Sequence, residues 1–358
     1  MRVVINGRFL DKATTGVERY AREIVRAIDG LVAANDPQVR GMDFVVARPP
    51  SGAAAFTSAI AEVRAGPSRG VVWEQTTLPR IAGRAAILNL CNMAPLLGRA
   101  QVTCVHDAHP WLMPENFSAA FRRWYDVMIP LVLRRSARWT TVSEFSAQKL
   151  QDLNIARRPP DAITYNAADN FATIAPESLD GLPDAVRGPF VLCLGSQSAN
   201  KNIGLIAGLA DELRAHGIAV VVAGGGISSI FGARHGYGSG VIDLGRVSDG
   251  QLKALYAQAL AFVFPSFFEG FGVPAVEAMQ MACPAIVSNT SALPEVVGDA
   301  AILADPTDAR QWLEAILRIR DEPGLREELV RKGHERAARY SWERSARTMV
   351  ALLKDAAA

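Results

Sequence analysis

The chain reads as an α/β protein of two doubly wound, Rossmann-like domains facing across a cleft. Three observations predict this. At 358 residues it exceeds the usual size of a single hydrophobic core. Two series of short apolar runs alternate with helical patterns, which implies βαβ units and parallel sheets buried on both faces. Between the series, residues 166–187 hold prolines, glycine and polar residues without sustained periodicity, as a connector would. These observations place one domain at residues 1–170 and a second at 186–341, with a final amphipathic segment at 342–358 able to cross back to the first.

The composition is that of an ordinary globular protein. Apolar residues make up 49%, charged residues 21%, and the net charge is +2. This balance carries no general argument for nucleic-acid binding. Cys91, Cys104, Cys193 and Cys283 are scattered and lie mostly in apolar runs, as reduced buried thiols do, without the spacing of a disulfide frame or a zinc site. No apolar run reaches membrane-spanning length. The chain starts directly on an apolar run without a leader, so the expected location is the cytoplasm.

In the first series the predicted strands are residues 2–5, 44–47, 71–73, 86–90, 102–105, 139–142 and 162–165. Asn6, Gly7 and Arg8 end the first strand, and Thr15 and Gly16 open the following helix. A hydroxyl and an amide at a helix start suit either an ordinary N-cap or an anion. His106 and Asp107 follow the apolar run at 102–105, at a strand's carboxyl end. His106 could donate to a sugar hydroxyl or a developing charge, with Asp107 orienting it. A structural pair is the plain alternative, and a metal site with His109 lacks further ligands. Arg122, Arg123, Arg134, Arg135 and Arg138 flank an apolar helix that fits either a core helix with charged ends or a shallow contact with an anionic membrane.

In the second series the strands are residues 190–194, 219–223, 241–244, 261–264, 285–287 and 301–303. Lys201 follows the first of these, beside a predicted helix carrying Ile203, Leu205, Ile206 and Leu209, where it can face a diphosphate. Gly224, Gly225 and Gly226 follow the second. They invite a dinucleotide reading that fails at Ser229, leaving a tight turn open to close approach by a nucleotide.

The most informative stretch runs from Pro265 to Ala278. It lies between the apolar run 261–264 and a helix marked by Val276, Ala278 and Met279, with Pro274 in the first turn. Gly270 and Gly272 allow close backbone approach to a ligand. The amides of Phe271, Gly272 and Val273 point out of a helix N-terminus, a seat for phosphate. Glu269 and Glu277, with seven residues between them, can reach one crevice. Such a loop suits a sugar nucleotide. A glycosidase's acid–nucleophile pair is the competing chemistry, but it leaves Lys201 and the amides unexplained.

Taken together, these residues resemble the retaining glycosyltransferases of family 4, which have the GT-B fold. The resemblance rests on Glu269 to Glu277, Pro284 to Ser288, Ser291 to Ala300 and Val142 to Ser146. Asn6 to Arg8, Thr15 to Tyr20 and His106–Asp107 are similar to bacterial polysaccharide mannosyltransferases of that family. The resemblance implies that Glu277 binds the nucleotide ribose, while Glu269 and the three amides hold donor-sugar hydroxyls and phosphate. It gives Lys201 the diphosphate together with Gly16, puts His106 near donor sugar and acceptor, and puts the base near Gly225 and Arg246. Ser196 and Asn200 stand where many relatives have arginine, so Arg8 or Arg246 is the expected substitute cation. Cys283 stands where glycine is common.

The implied reaction transfers a hexose, with mannose from GDP-mannose preferred over UDP-sugars. The acceptor is a saccharide, expected to be lipid-linked, in cell-surface polysaccharide assembly at the inner membrane face. Neither a cofactor nor a metal is expected. A sugar-nucleotide epimerase and a binding protein without turnover are the other readings.

Overall fold

The computed structural model describes residues 1–50, 55–195, 199–224 and 240–357. The chain forms two units, Met1–Asn166 with Ser341–Ala358, and Ala167–Tyr340.

The first unit runs β1 (Arg2–Asn6), α1 (Gly16–Ala33), β2 (Asp43–Arg48), β3 (Ala61–Arg64), α2 (Gly70–Ala82), β4 (Ala86–Asn89) and β5 (Gln101–Cys104). It continues through α3 (His109–Leu112), α4 (Ala119–Arg135), β6 (Arg138–Thr141), α5 (Glu144–Asp152) and β7 (Ala162–Ile163). All seven strands are parallel, in the order β3-β2-β1-β4-β5-β6-β7. Val3, Val4 and Ile5 are fully buried on both faces of β1, which is why this strand reads as a continuous apolar run rather than an alternating one.

One sequence expectation fails here. Val71–Trp73 lies in α2, not in a strand: Trp73 and Leu78 are buried while Val72 is 62% exposed, a helical distribution. The strand pairing with β2 is β3 instead, an edge strand whose Glu62 and Arg64 hide it from an apolar-run reading.

The second unit runs α6 (Asp169–Ala172), β8 (Phe190–Leu194), α7 (Ile203–Ala207), α8 (Ala210–Ala215), β9 (Ala219–Ala223), β10 (Val241–Asp243), α9 (Asp249–Gln258) and β11 (Ala261–Phe264). It then adds α10 (Val273–Gln280), β12 (Ala285–Ser288), α11 (Leu293–Val297), β13 (Ile302–Ala304), α12 (Ala309–Asp321) and α13 (Leu325–Ala337). Its six parallel strands lie in the order β10-β9-β8-β11-β12-β13. Trp312, Ile316 and Ile319 of α12 close one face over Val191, Val220 and Ile286.

The segment after Asn166 packs on the second unit. Phe171 is buried with its ring edge-on to Tyr256, and Lys253 donates to the carbonyls of Ala172 and Ile174 at 2.8 and 2.6 Å. The last helix, α14 (Trp342–Ala357), packs on α1 within the first unit. Trp342 meets Tyr20 with ring centroids 5.8 Å apart, and Arg347 pairs with Asp36 at 2.8 Å.

Each sheet has one place where neighbouring strands lead off in opposite directions: between β1 and β4 in the first, and between β8 and β11 in the second. In open α/β sheets ligands bind at the carboxyl ends of such strands. Each unit thus carries its own candidate ligand-binding place.

Candidate functional site

In the second unit, the loops leaving β8 and β11 meet at the switch point. Lys201 closes a short turn, Ala199–Lys201, and its Nζ lies 2.7 Å from Glu269 Oε1 and 4.9 Å from the centre of the Phe264 ring. Asn200 ties the same two loops together. Its carbonyl accepts from the Phe267 amide at 2.8 Å, and its side chain donates to the Phe268 carbonyl at 3.3 Å. The amide of Glu269 donates to Ser291 Oγ at 3.1 Å, which fixes the loop from the β12 side.

The expected helix after Lys201 is broken in two. Its first piece, α7, has five residues and ends at Gly208. So short a helix brings little dipole to Lys201, whose own ammonium is the cation of this loop. Asn202 holds the left-handed conformation at φ +50° and donates to the Pro306 carbonyl, acting as a structural peg.

Gly272 opens α10 at φ +97°, and a Cβ there would stand 2.5 Å from Leu293 Cδ2. Glycine is therefore required by the protein's own backbone and packing, a reason that comes before any approach to a ligand. The same holds for Gly224, at φ +111°, where a Cβ would stand 2.9 Å from the Gly195 carbonyl oxygen. Phe271, Gly272 and Val273 sit at the start of α10 with Pro274 in its first turn, and Phe271 is buried edge-on against Tyr340. Glu277 lies inside α10, only 1% exposed, where Tyr256 donates to its Oε2 at 3.3 Å and to the Pro274 carbonyl at 3.2 Å. Arg246 is exposed on the loop after β10. Gly225, with Gly226 and Ser196, lies outside the described residues.

In the first unit, Gly16 is the exposed first residue of α1. Thr15 caps that helix together with Glu18: the Thr15 amide donates to Glu18 Oε2 at 3.2 Å, and the Thr15 hydroxyl donates to the same oxygen. That hydroxyl is thus committed within the cap.

His106 is 4% exposed just past β5. Its amide donates to Asn92 Oδ1, its carbonyl accepts from Thr141, and its ring stands edge-on to Tyr20 at 4.8 Å. Nε2 lies 2.9 Å from the Leu90 carbonyl. A carbonyl only accepts, so Nε2 carries the hydrogen, and Nδ1 of the neutral ring is an acceptor. Burial lowers the ring's pKa below its ordinary value, against the raising effects of the Leu90 carbonyl and Asp107. Asp107 does not orient the ring through a hydrogen bond; its Oδ1 accepts from the His109 amide at 2.8 Å. The side chain expected to donate is therefore a neutral imidazole whose remaining nitrogen receives a hydrogen.

Arg8 is not a spare cation. Its Nε lies 3.0 Å from Oε1 of Glu74, a residue 1% exposed in its side chain, and Asn6 donates to the same oxygen at 2.7 Å. Glu74 and Tyr256 escape a reading of the sequence because neither stands in a spaced motif and each acts through a partner distant in sequence, while Ser291 opens a stretch of the resemblance that assigns it no role. Asn200 was seen only as a missing arginine, while its structural work needs a short amide.

In the second unit, two switch-point loops joined by a Lys–Glu pair stand with a helix opened by Gly272 and a glutamate buried within it, the arrangement of a ligand site at the carboxyl ends of an open α/β sheet. Residues 180–336, within the second unit, match the family described as Glycosyl transferases group 1. Over 100 residues it is 46% identical to O-antigen chain mannosyltransferase B of Escherichia coli, covering 28% of this chain and 26% of that protein. Over 279 residues it is 25% identical to O-antigen chain mannosyltransferase RfbU of Salmonella typhimurium, covering 74% of this chain and 72% of that protein. The match thus spans about a quarter of the Escherichia coli relative's length. The structure of sucrose-phosphate synthase from Thermosynechococcus elongatus aligns with 99% of this chain and 98% of its own, at a TM-score of 0.70 and 18% identity. That is a likeness of fold.

Proposed function

We propose that the protein is a retaining mannosyltransferase that moves mannose from GDP-mannose to a saccharide acceptor in cell-surface polysaccharide assembly. The observation that carries the reading is the Lys201–Glu269 pair at the β8/β11 switch point, inside the stretch that matches Glycosyl transferases group 1. Mannose is supported by the two O-antigen relatives, both named as mannosyltransferases.

In this reading the second unit holds the donor. Lys201 and the amides of Phe271, Gly272 and Val273 face the diphosphate, where charge grows as the sugar departs; fixed donors there lower the barrier most directly. Glu269 takes sugar hydroxyls and Glu277 the ribose, with Tyr256 holding Glu277 in place. Gly225 and Arg246 are assigned to the base. The first unit holds the acceptor, with Gly16 serving the diphosphate and His106 serving the sugar through its accepting nitrogen. The departing phosphate takes the acceptor's proton on the face of attack, so Glu269 is not a covalent nucleophile. No metal or cofactor is required, since the charge is met by Lys201 and backbone amides.

Among the described residues no helix is long and apolar enough to cross a membrane. A lipid-linked acceptor would instead bring the protein to the inner membrane face. α4 suits such a contact: it exposes Trp124 and Val127, 40% and 59% respectively, beside exposed Arg123, while burying Met128, Ile129, Val132 and Leu133. Incubation with GDP-mannose and a mannoside acceptor tests the function. Appearance of GDP with a mannosylated product supports it, whereas transfer confined to UDP-sugars replaces the donor.

A further inference from the structure

The carboxyl ends of β1 and β4, at the first unit's switch point, enclose a cavity lined by Asn6, Arg8, Lys12, Glu74, Leu90 and Cys91. Its volume, about 10 Å³, fits one hydroxyl-sized group. Its walls are fixed. Asn6 Nδ2 donates both to Glu74 Oε1 and to Asn89 Oδ1, and Asn89 in turn donates to Gln101, so the polar wall continues as a chain of buried side chains across the sheet. Leu90, also in the lining, supplies the carbonyl that orients His106.

One atom in this wall lacks a partner. Glu74 Oε1 receives both Arg8 and Asn6, but Oε2 is buried without a hydrogen-bond partner among the described residues. A buried carboxylate oxygen without a donor is costly, so a site that keeps one is shaped for a group that donates to it. The group that fits must donate a hydrogen to a carboxylate, which a deprotonated anion cannot do, and a cation would meet Arg8 and Lys12 in the same lining. A neutral hydroxyl meets both conditions.

We propose that this cavity receives one hydroxyl of the saccharide acceptor, which donates its hydrogen to Glu74 Oε2 and lies one carbonyl away from His106. The proposal rests on the saccharide acceptor named above, and it makes Glu74 a specificity-determining residue that the donor never touches.

The test uses the full chain with GDP-mannose as donor and p-nitrophenyl α-mannoside, with its monodeoxy analogues, as acceptor probes. Wild-type protein is expected to discriminate against one analogue by at least about tenfold in kcat/KM, because a site built for a hydroxyl rejects the analogue lacking it. Glu74→Gln is expected to raise the acceptor KM at least about tenfold, to abolish that discrimination and to leave the donor KM unchanged. An unchanged acceptor KM with discrimination intact overturns the proposal. Should Glu74→Gln not fold, Cys91→Val decides: it narrows the cavity from its wall and leaves both members of the Arg8–Glu74 pair in place. The same selective rise in acceptor KM supports the subsite, and wild-type kinetics overturn it. A wild-type protein that transfers no mannose to any probe overturns the functional reading, and this proposal with it. Transfer without discrimination overturns the subsite alone.

Discussion

Lys201 Nζ and Glu269 Oε1, from loops 68 residues apart in sequence, stand 2.7 Å from each other at the place where the second sheet reverses its winding. The pair is partly exposed, at 23% and 13% for the two side chains, so solvent screens it and its share in stability is modest. Its value lies in position. A diphosphate arriving beside Lys201 competes with Glu269 for the ammonium and frees that carboxylate for the sugar's hydroxyls.

Lys201→Ala should therefore lower kcat/KM by about 10²–10³-fold, the usual loss when one fixed donor to a departing group is removed. The thermal midpoint should move little. Steady-state kinetics alongside a melting curve check this, and a large loss of stability with unchanged kcat/KM would make the pair structural.

Tyr256 and Glu277 form the next relationship to test. Tyr256→Phe removes the hydroxyl that holds Glu277 Oε2 and should weaken GDP binding about fivefold, one ordinary hydrogen bond's worth. Glu277→Ala should weaken it further by removing the ribose contact itself. Titration calorimetry with GDP gives both, and unchanged affinity in Glu277→Ala removes that residue from the donor site.

His106 makes a prediction in pH. Its pKa is lowered by burial, so between that lowered value and the ordinary one near 6.5 the unfolded chain binds more protons than the folded one. Stability contributed by the neutral ring is present above pH 6.5 and declines as pH falls through this window. His106→Gln, which keeps a donor for the Leu90 carbonyl, should flatten that part of the acid limb in urea melts. It should also lower turnover more than donor affinity. Identical acid limbs and wild-type turnover would leave His106 a packing residue.

Gly272→Ala should cost roughly 1–3 kcal/mol, because the left-handed backbone is strained for any side chain and the new Cβ meets Leu293. Denaturant unfolding reports it; a cost below that range would show that α10 can start elsewhere.

The doubly wound pattern was legible because most strands are buried on both faces. Ala261–Phe264 is the clearest case, an unbroken apolar run that is entirely buried. The same logic misread Val71–Trp73, where β-branched and aromatic residues mark an amphipathic helix, and it could not see β3, whose edge position favours charge. The helix expected after Lys201 breaks at Leu209, whose amide bonds back three residues to Ile206 while its side chain stays buried, so the apolar spacing runs on across the break. Glu269, Glu277 and Lys201 stood out through spacing and their places after strands. Glu74 did not: its chemistry comes from Arg8 and Asn6, more than 60 positions away, and only folding brings them together.

For the surface of α4, replacing Trp124 and Val127 with alanine should reduce co-sedimentation with anionic phospholipid vesicles while sparing transfer to a water-soluble acceptor. Vesicle binding equal to wild type would remove α4 from any membrane contact.

The most direct test of the central claim is the anomeric configuration of the product formed from GDP-mannose, read by NMR. A retaining mannosyltransferase yields an α-linked mannoside together with GDP. A β-linked product, or mannose transfer that is absent while a UDP-sugar is used, would contradict it.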